Sequence, residues 1–323
     1  MIASFLECCE TLSNNGVVAI HTETVYGLAA NALSEGAVRK IYELKGRPKQ
    51  NPLIVHIFSS QDASKIAHTT SIFYKLSERF WPGPLSFVLP ARENIPLLTR
   101  AGLPTVALRS PQSKVFRKTL ESTGLFLAAP SANPSNRISP TNADHVIDGF
   151  KDNCPQILDG GDCHVGIEST VLDLTTNNPT ILRPGPVGKA ALENHLGIKV
   201  NSMPSEDLFL KKSPGMTSLH YAPLTPTFIF KDFKSLASRM IERNQVVLLP
   251  FKSFESKILR KEKVFSFADS NSLLEVSRKL YSKLHFVDKM KASSILTCLF
   301  PENDQLAVAI NDRLRRTGKL ICE

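Results

Sequence analysis

The chain has no apolar run long enough to span a bilayer, so we expect no membrane-embedded segment. Its first ten residues contain Glu7 and Glu10 and no basic n-region, a pattern that predicts a cytoplasmic protein without a signal peptide. Cysteine is scarce. The six cysteines form no CxxC pair and no spacing typical of zinc sites, so we expect reduced thiols rather than disulfides or a structural metal.

The short motifs that usually mark nucleotide and nucleophile chemistry are also missing. The sequence contains no Walker A, GxGxxG, HExxH or GxSxG motif. If the protein uses ATP, it must therefore bind it with another arrangement of residues.

The composition is that of a globular protein of ordinary two-domain size, with 323 residues, 42% of them hydrophobic and 21% charged. The net charge of +9 is uneven. Residues 1–200 hold 19 Lys and Arg against 17 Asp and Glu, whereas residues 201–323 hold 20 against 13. A basic field in the last third could attract RNA. The alternative is a solvated surface with a lysine bias.

Apolar runs and helical periodicities alternate over the first 200 residues, which predicts one α/β domain around a large sheet. Residues 201–226 carry four prolines and predict a long irregular linker. Regular patterns then resume and predict a second, smaller α/β unit at 227–323. The predicted strands are residues 17–20, 53–57, 85–89, 106–108, 126–129, 170–174, 180–182, 228–230, 246–249, 264–267 and 295–299.

The most informative stretch begins with the hydroxyl-rich turn TETVYGL at residues 22–28, directly after an apolar strand. The helix that follows ends on Lys45 and Arg47, which flank Gly46 and precede Pro48. In an extended loop these two cations can converge on one polyanion, with arginine giving bidentate contacts. The alternative is a solvated basic helix end that suits the helix dipole.

Two further segments place polar groups beside strand ends. APSAN at residues 129–133, with Ser131, Asn133 and the later Ser139, follows a strand and precedes a helix. That location is where open α/β sheets bind ligands. The alternative is a polar turn with a helix cap, which would give the same sequence pattern. In GIESTV, residues 166–171, Ser169 opens the next strand. Arg109 and Arg183 each end a strand and could instead form structural salt bridges.

Together these segments resemble the threonylcarbamoyl-AMP synthase family in order and spacing. The resemblance rests on TETVYGL, KGRP, NPLIVH, FWPGPLSFVL, TVALRSP, APSAN, SPT, GIESTV and ILRPG, over residues 16–190. SPGM and HYAP, at 213–223, are similar to the linker of two-domain members. His21 departs from the family pattern, which has proline before TETVYG.

The resemblance implies a fold and a reaction. It implies a large twisted mixed sheet with helices (YrdC-like) in residues 1–200, a lid over the active site at 201–226, and a smaller Rossmann-like α/β domain at 227–323. The implied enzyme is a nucleotidyltransferase that makes threonylcarbamoyl-AMP and pyrophosphate from L-threonine, bicarbonate and ATP, for threonylcarbamoyladenosine in tRNA. Magnesium would be held through the ATP phosphates and by no protein ligand.

The resemblance also assigns residues to roles. It implies a threonine site formed by Thr24, His56, Arg109, Ala129 and Ser169, with Arg109 on the carboxylate. It implies ATP contacts from Arg47, Asn51, Thr105, Ser131, Ser139, Arg183 and Tyr221. The pairs Lys45 with Arg47 and Ser131 with Asn133 characterise the catalytic domain, and the resemblance implies that these four residues are catalytic.

The alternative function is a double-stranded RNA-binding or ribosome-associated module of the same fold. The basic last third favours it, whereas a lid carrying Tyr221 favours the enzyme. The partners that the resemblance implies are a downstream tRNA threonylcarbamoyl transferase and weakly bound tRNA or double-stranded RNA, with no membrane.

Overall fold

The computed structural model describes residues 1–202, 220–258 and 263–321. Most of the predicted lid, residues 203–219, lies outside the described residues. No helix among the described residues is long and apolar enough to cross a membrane. The chain divides into two compact units, each described separately below. The first comprises Met1–Ser135, Pro140–His164 and Glu168–Thr217, and the second comprises Asn136–Ser139, Val165–Ile167 and Ser218–Glu323.

The first unit is a mixed α/β structure. Its described helices are α1 (Phe5–Ser13), α2 (Glu35–Lys45), α3 (Ser60–Ala63), α4 (Ser71–Phe80), α5 (Lys114–Thr123), α6 (Ala143–Phe150) and α7 (Lys189–Leu196), with a 3-10 turn at Lys151–Asn153. Its described strands are β1 (Val18–Ile20), β2 (Gly27–Asn31), β3 (Ile54–His56), β4 (Leu85–Pro90), β5 (Thr105–Arg109), β6 (Leu127–Ala128), β7 (Gln156–Leu158), β8 (Thr170–Asp173), β9 (Thr180–Arg183) and β10 (Asn201–Ser202).

These strands form one sheet in the order β10-β9-β8-β4-β5-β3-β6-β2-β1-β7. Parallel and antiparallel pairs are mixed: β3 runs parallel to β5 and antiparallel to β6. His56 pairs with Arg109, so the ends of two neighbouring strands bring these side chains to the same edge region. The sheet interior is apolar, with Val55, Leu108 and Phe87 fully buried.

Helix caps in the first unit fix where the functional segments begin. The Ser34 side chain accepts a hydrogen bond from the backbone N–H of Ala37 and starts α2. Gly46 ends α2 in the left-handed conformation, at φ 59°, which glycine adopts without strain. The turn at Gly46 is what places Lys45 on the helix and Arg47 in the loop that follows.

The second unit is built on a parallel sheet. Its described strands are β11 (Thr227–Phe230), β12 (Gln245–Phe251), β13 (Val264–Ala268), β14 (Ser294–Cys298) and β15 (Lys319–Ile321), in the order β13-β12-β14-β11-β15. Each described pair runs parallel. The described helices are α8 (Phe233–Ala237), α9 (Leu273–Asp288) and α10 (Gln305–Arg315), with a 3-10 segment at Lys252–Lys257.

The predicted fold class is confirmed, with a large mixed sheet and a smaller parallel sheet. Three strands of the first unit, β2, β7 and β10, were not predicted. All three are short. β10 lies inside the segment 201–226 predicted as an irregular linker, and β2 begins within the TETVYGL motif, whose hydroxyls mask its apolar pattern. The functional boundaries at residues 200 and 226 remain predictions, and the loops 136–139 and 165–167 group with the second unit.

Candidate active site

The turn that opens the TETVYGL motif is organised by Thr22. Its hydroxyl donates to the carbonyl of Val25 at 2.5 Å and accepts from the backbone N–H groups of Thr24 and Val25, each at 3.1 Å. The hydroxyls of Thr22 and Thr24 lie 2.9 Å apart. The Thr24 oxygen has two lone pairs, so it can accept a hydrogen bond from a neighbouring cation and another from a ligand.

Arg109 ends β5 and points its guanidinium at this turn. Its Nη1 donates to the Thr24 hydroxyl at 3.0 Å, and its Nε donates to the carbonyl of Gly83 at 3.3 Å. Its Nη2 donates to Glu23 Oε1 at 2.6 Å. The side chain of Arg109 is 5% exposed and that of Glu23 is 0% exposed. This is a buried ion pair within the predicted threonine site.

Two opposing effects act on the Glu23 carboxyl. Burial alone would raise its pKa, but the charge and hydrogen bond of Arg109 outweigh it, so the pKa lies below the usual glutamate value. The second oxygen, Oε2, accepts from the backbone N–H of Ser113 at 3.4 Å. Glu23 is therefore ionised at neutral pH, and it balances the charge of Arg109.

His56 lies at the end of β3 beside Arg109 and is 2% exposed. Burial, with the Arg109 charge as the second cause, lowers its pKa to about 3, so the ring is neutral at physiological pH. Its centroid lies 5.0 Å from that of the Phe116 ring. Its Nδ1 is buried and has no hydrogen-bond partner among the described residues. A neutral imidazole with an unused ring nitrogen can bind a polar ligand atom here.

A second buried group surrounds Ser169. Its hydroxyl lies 2.8 Å from that of Ser86 on β4, and it accepts from Arg183 Nη2 at 3.2 Å. Arg183 also donates to the Ser169 carbonyl through Nε at 3.1 Å and Nη2 at 2.9 Å. Arg183 thus fixes the backbone just before β8 as well as the hydroxyl of Ser169.

Lys45 connects the end of α2 to the APSAN segment. Its Nζ donates to the carbonyls of Ser131 and Asn133, and its own carbonyl accepts from the backbone N–H of Ser135. Lys45 is 3% exposed, and burial, followed by the Arg47 charge, lowers its pKa well below the ordinary lysine value. Lys45 and the Ser131–Asn133 segment are therefore joined by hydrogen bonds in the structure, although they belong to separate motifs in the sequence.

Arg47 performs a related task on the loop before β3. Its Nε donates to the carbonyl of Asn51 at 3.1 Å and its Nη2 to that of Pro52 at 3.0 Å. Tyr42 on α2 also donates to the Asn51 carbonyl, at 2.9 Å. These bonds hold the KGRP and NPLIVH segments against each other.

The remaining predicted residues fall in different places. Ala129 donates its backbone N–H to Ile54, and Gly27 packs so closely that an added Cβ would lie 3.1 Å from that of Ala129. Thr105 begins β5, four residues and so about 13 Å along the strand from Arg109. Ser139 and Tyr221 belong to the second unit, where the Ser139 carbonyl lies 3.2 Å from His285 Nε2.

Sequence reasoning assigned no role to Glu23, Ser86 or Ser113. Glu23 is the acid inside TETVYGL and was visible, but nothing in a linear sequence shows that it meets an arginine 86 positions away. Ser86 lies in the predicted strand 85–89, and Ser113 is the N-cap of α5 in the structure. For metals, the described residues contain no group of three or more His, Cys, Asp or Glu side chains that could hold an ion.

Comparison with known proteins gives these groups a context. A family model described as telomere recombination (Sua5_yciO_yrdC) matches residues 10–185. A second, described as the C-terminal domain of threonylcarbamoyl-AMP synthase, matches residues 187–318.

Several curated relatives match along nearly the whole chain. The threonylcarbamoyl-AMP synthase of Pyrococcus abyssi is 37% identical over 94% of this chain and 90% of its own. That of Bacillus subtilis is 38% identical over 95% of this chain and 90% of its own.

A solved structure, P. abyssi Sua5 complexed with L-threonine, is similar throughout. It has a TM-score of 0.88 and 34% identity, covering 98% of this chain and 95% of that one. The two family models together match residues 10–185 and 187–318, and the curated relatives match over nearly the whole chain. The chain therefore belongs to the threonylcarbamoyl-AMP synthase family.

Proposed function

We propose that this chain joins L-threonine, bicarbonate and ATP into threonylcarbamoyl-AMP and pyrophosphate, with Arg109 as the residue that binds the threonine carboxylate. Family membership and the relatives named for this product support the reaction. A relative solved with L-threonine supports the amino acid. The observation that carries the residue assignment is the buried Arg109 guanidinium, which the turn at Thr24 and Glu23 holds in one orientation.

The chemistry requires no covalent intermediate on the protein. Bicarbonate takes up a proton and loses water to give carbon dioxide. The threonine amine attacks its carbon, an N–C bond forms as one C=O π pair moves to oxygen, and the nitrogen loses a proton to solvent, which gives the carbamate. A carbamate oxygen then attacks the α-phosphorus of ATP. A new P–O bond forms as the bond to the β-phosphate oxygen breaks, and pyrophosphate leaves. This second step makes the enzyme a nucleotidyltransferase.

Such a reaction needs positioning, charge neutralisation and exclusion of water from the carbamate. The residues around Arg109 suit the first need, since Thr24 accepts hydrogen bonds and His56 is neutral. A neutral His56 does not repel the cation of Arg109 and does not compete with it for the carboxylate. We assign the α-amino or hydroxyl group of threonine to the acceptor on Thr24.

Lys45, Arg47 and Arg183 supply positive charge for the phosphates in this proposal. Each of them also holds backbone carbonyls, so each would act partly by shaping the loops around ATP. Asn51, Thr105, Ser131, Asn133, Ser139 and Tyr221 remain proposed ATP contacts or neighbours of them. The donor set is rich in cations and hydroxyls, which fits Mg²⁺ held by ATP phosphate oxygens, where it would neutralise charge.

The product is a reactive mixed anhydride, so it must be consumed by an acceptor before water reaches it. We infer that a tRNA threonylcarbamoyl transferase takes it up in the cytoplasm. The excess of 20 Lys and Arg over 13 Asp and Glu in residues 201–323 supports weak attraction of tRNA.

The test is pyrophosphate release by the purified chain, with threonylcarbamoyl-AMP identified by mass spectrometry. We expect release to require threonine, bicarbonate and ATP together, with threonine used best, serine next and valine poorly. A site that pairs a substrate hydroxyl strongly rejects an isostere that lacks it. Release that ignores threonine, or equal rates with valine, would overturn the proposal.

A further inference from the structure

We propose that Glu23 is a positioning residue that holds the Arg109 guanidinium so that two of its N–H groups face the substrate carboxylate. The inference rests on the proposed function, and it concerns the same site. Glu23 itself is given no substrate contact, because both of its carboxylate oxygens already accept hydrogen bonds, one from Arg109 and one from the backbone N–H of Ser113. It acts through Arg109.

Arg109 has more N–H groups than its described protein partners use. A guanidinium has five N–H groups. Arg109 donates three of them, one each to Gly83, Thr24 and Glu23. Two N–H groups therefore have no partner among the described residues, one on Nη1 and one on Nη2. Two is the number that a carboxylate takes in a bidentate contact. The two terminal nitrogens must stay in a fixed plane for that contact to form.

The three partners differ in how firmly they fix this plane. The Gly83 contact at 3.3 Å is long, and the Thr24 hydroxyl can rotate. Glu23, at 2.6 Å, is the short contact and carries the opposite charge. A short hydrogen bond to a fully buried side chain restrains the guanidinium more than the other two contacts do, so Glu23 dominates the orientation of the guanidinium.

Glu23 is in turn held in place. The backbone N–H of Ser113 faces its second oxygen at 3.4 Å. Ser113 caps α5 by accepting from Phe116, and its hydroxyl lies 2.8 Å from His21 Nδ1. The carboxylate is thus supported by the start of a helix and by the residue after β1, so a small movement of Glu23 is resisted from two elements.

Three substitutions separate orientation from charge. Glu23→Gln keeps the side-chain length and an oxygen for Arg109 Nη2 but removes the charge. Glu23→Asp keeps the charge but shortens the side chain by one methylene, so the contact is lost. Glu23→Ala removes both. Asp173→Asn is the matched control, since Asp173 is also a buried acid of the first unit and its Oδ1 accepts hydrogen bonds from the backbone N–H and the hydroxyl of Thr175.

The readout is steady-state kinetics with threonine and ATP varied separately, with circular dichroism to show that each variant is folded. We expect Glu23→Asp and Glu23→Ala to raise KM for threonine at least tenfold. We expect kcat and KM for ATP to stay within threefold. Glu23→Gln should keep KM for threonine within threefold of the unaltered chain, as should Asp173→Asn.

Two results would overturn the inference. One is a folded Glu23→Asp or Glu23→Ala variant with an unchanged KM for threonine. The other is a Glu23→Gln variant as impaired as Glu23→Ala, which would assign the effect to charge. If the unaltered chain makes no threonylcarbamoyl-AMP, the proposed function fails first. Binding of threonine alone, measured by calorimetry on the same variants, then decides the role of Glu23 separately.

Discussion

Two ion-pair sites, one in each unit, differ in how far they are exposed to solvent. In the first unit, Arg109 and Glu23 meet at a strand end with side chains 5% and 0% exposed. In the second, Lys279 on α9 pairs with Asp269 and Glu275 at the surface, where the three side chains are 39%, 63% and 23% exposed. The distances are similar, at 2.6 Å against 2.9 and 2.7 Å. Burial, and not contact distance, distinguishes the two sites.

The difference in burial indicates different roles for the Arg109–Glu23 pair and the Lys279 pairs. Removing two charges from water is costly, and an apolar pair of similar volume is often at least as stable. A buried ion pair is therefore weak evidence that the pair stabilises the fold. The pair of Arg109 with Glu23 is better explained if its role is to hold the arginine in place. A surface pair costs little to form and contributes little to folding.

Arg313 sharpens the comparison, because it is a fully buried arginine in the second unit. Its Nη1 bonds to the neighbouring Asp312 and to the carbonyl of Ala309 on the same helix. Its guanidinium carbon lies 5.9 Å from the centroid of the Tyr221 ring. The partners of Arg109 come from two separate segments, the Glu23–Thr24 turn and Gly83. A buried arginine is therefore found in both units, and burial alone does not single out Arg109.

The largest effect should follow loss of Arg109. Arg109→Met should lower kcat/KM for threonine by at least 100-fold, because the carboxylate loses its partner. It should also destabilise the first unit by about 3–5 kcal/mol, because Glu23 is left buried without a counterion. Kinetics and thermal unfolding measure the two effects.

The double variant Arg109→Met with Glu23→Leu should recover much of the stability and none of the activity. Activity in either variant would contradict the assignment.

Replacing Lys45 should have the next largest effect on folding. Lys45→Met keeps the length of the side chain but leaves the carbonyls of Ser131 and Asn133 without their donor. We expect a loss of about 2 kcal/mol, since unsatisfied buried groups cost about 1–3 kcal/mol each and the cost of burying the amine is relieved. Chemical denaturation measures it. Lys40→Met, on the exposed face of α2, is the control and should change stability by less than about 0.5 kcal/mol.

The buried imidazole of His56 predicts a pH dependence. Its pKa falls from 6.5 to about 3 on folding. Between these two pH values the imidazole is protonated in the unfolded chain and neutral in the folded chain. Stability from this group is therefore complete above pH 6.5 and is lost as pH falls toward 3, by roughly 1.4 kcal/mol per pH unit. Unfolding midpoints at pH 7.5, 6 and 5 test this. The slope should flatten in His56→Gln, and an unchanged slope would show that His56 is not buried and neutral.

Breaking the surface pair in the second unit should have the smallest effect. Burial is slight around Glu275, and its pKa of about 2 reflects mainly hydrogen bonds from Lys279 and Ser270. Solvent screens this charge pair, so Lys279→Ala should cost less than about 1 kcal/mol, and 0.5 M salt should remove most of the difference. Synthesis should be unaffected. A loss as large as that of Arg109→Met would show that exposure is a poor guide to the role of ion pairs here.

Much of the architecture could be predicted from the sequence. The apolar run before TETVYGL predicted β1, and Gly46 with Pro48 marked the end of α2, because local backbone preferences decide such features. Short strands such as β2 and β7 were not predicted, since two to five residues carry too little periodicity and their pairing is with distant segments.

The candidate site shows the same division. By itself, the sequence determined the residue types, the order of the motifs and the family, because these are properties of the linear chain. Only the tertiary structure decided that Glu23 meets Arg109, that Ser86 meets Ser169, and that Lys45 ties down the APSAN segment. The physical reason is that each contact joins residues roughly 80 to 90 positions apart. Burial and charge are properties of the neighbours that the sheet assembles, so no local pattern encodes them.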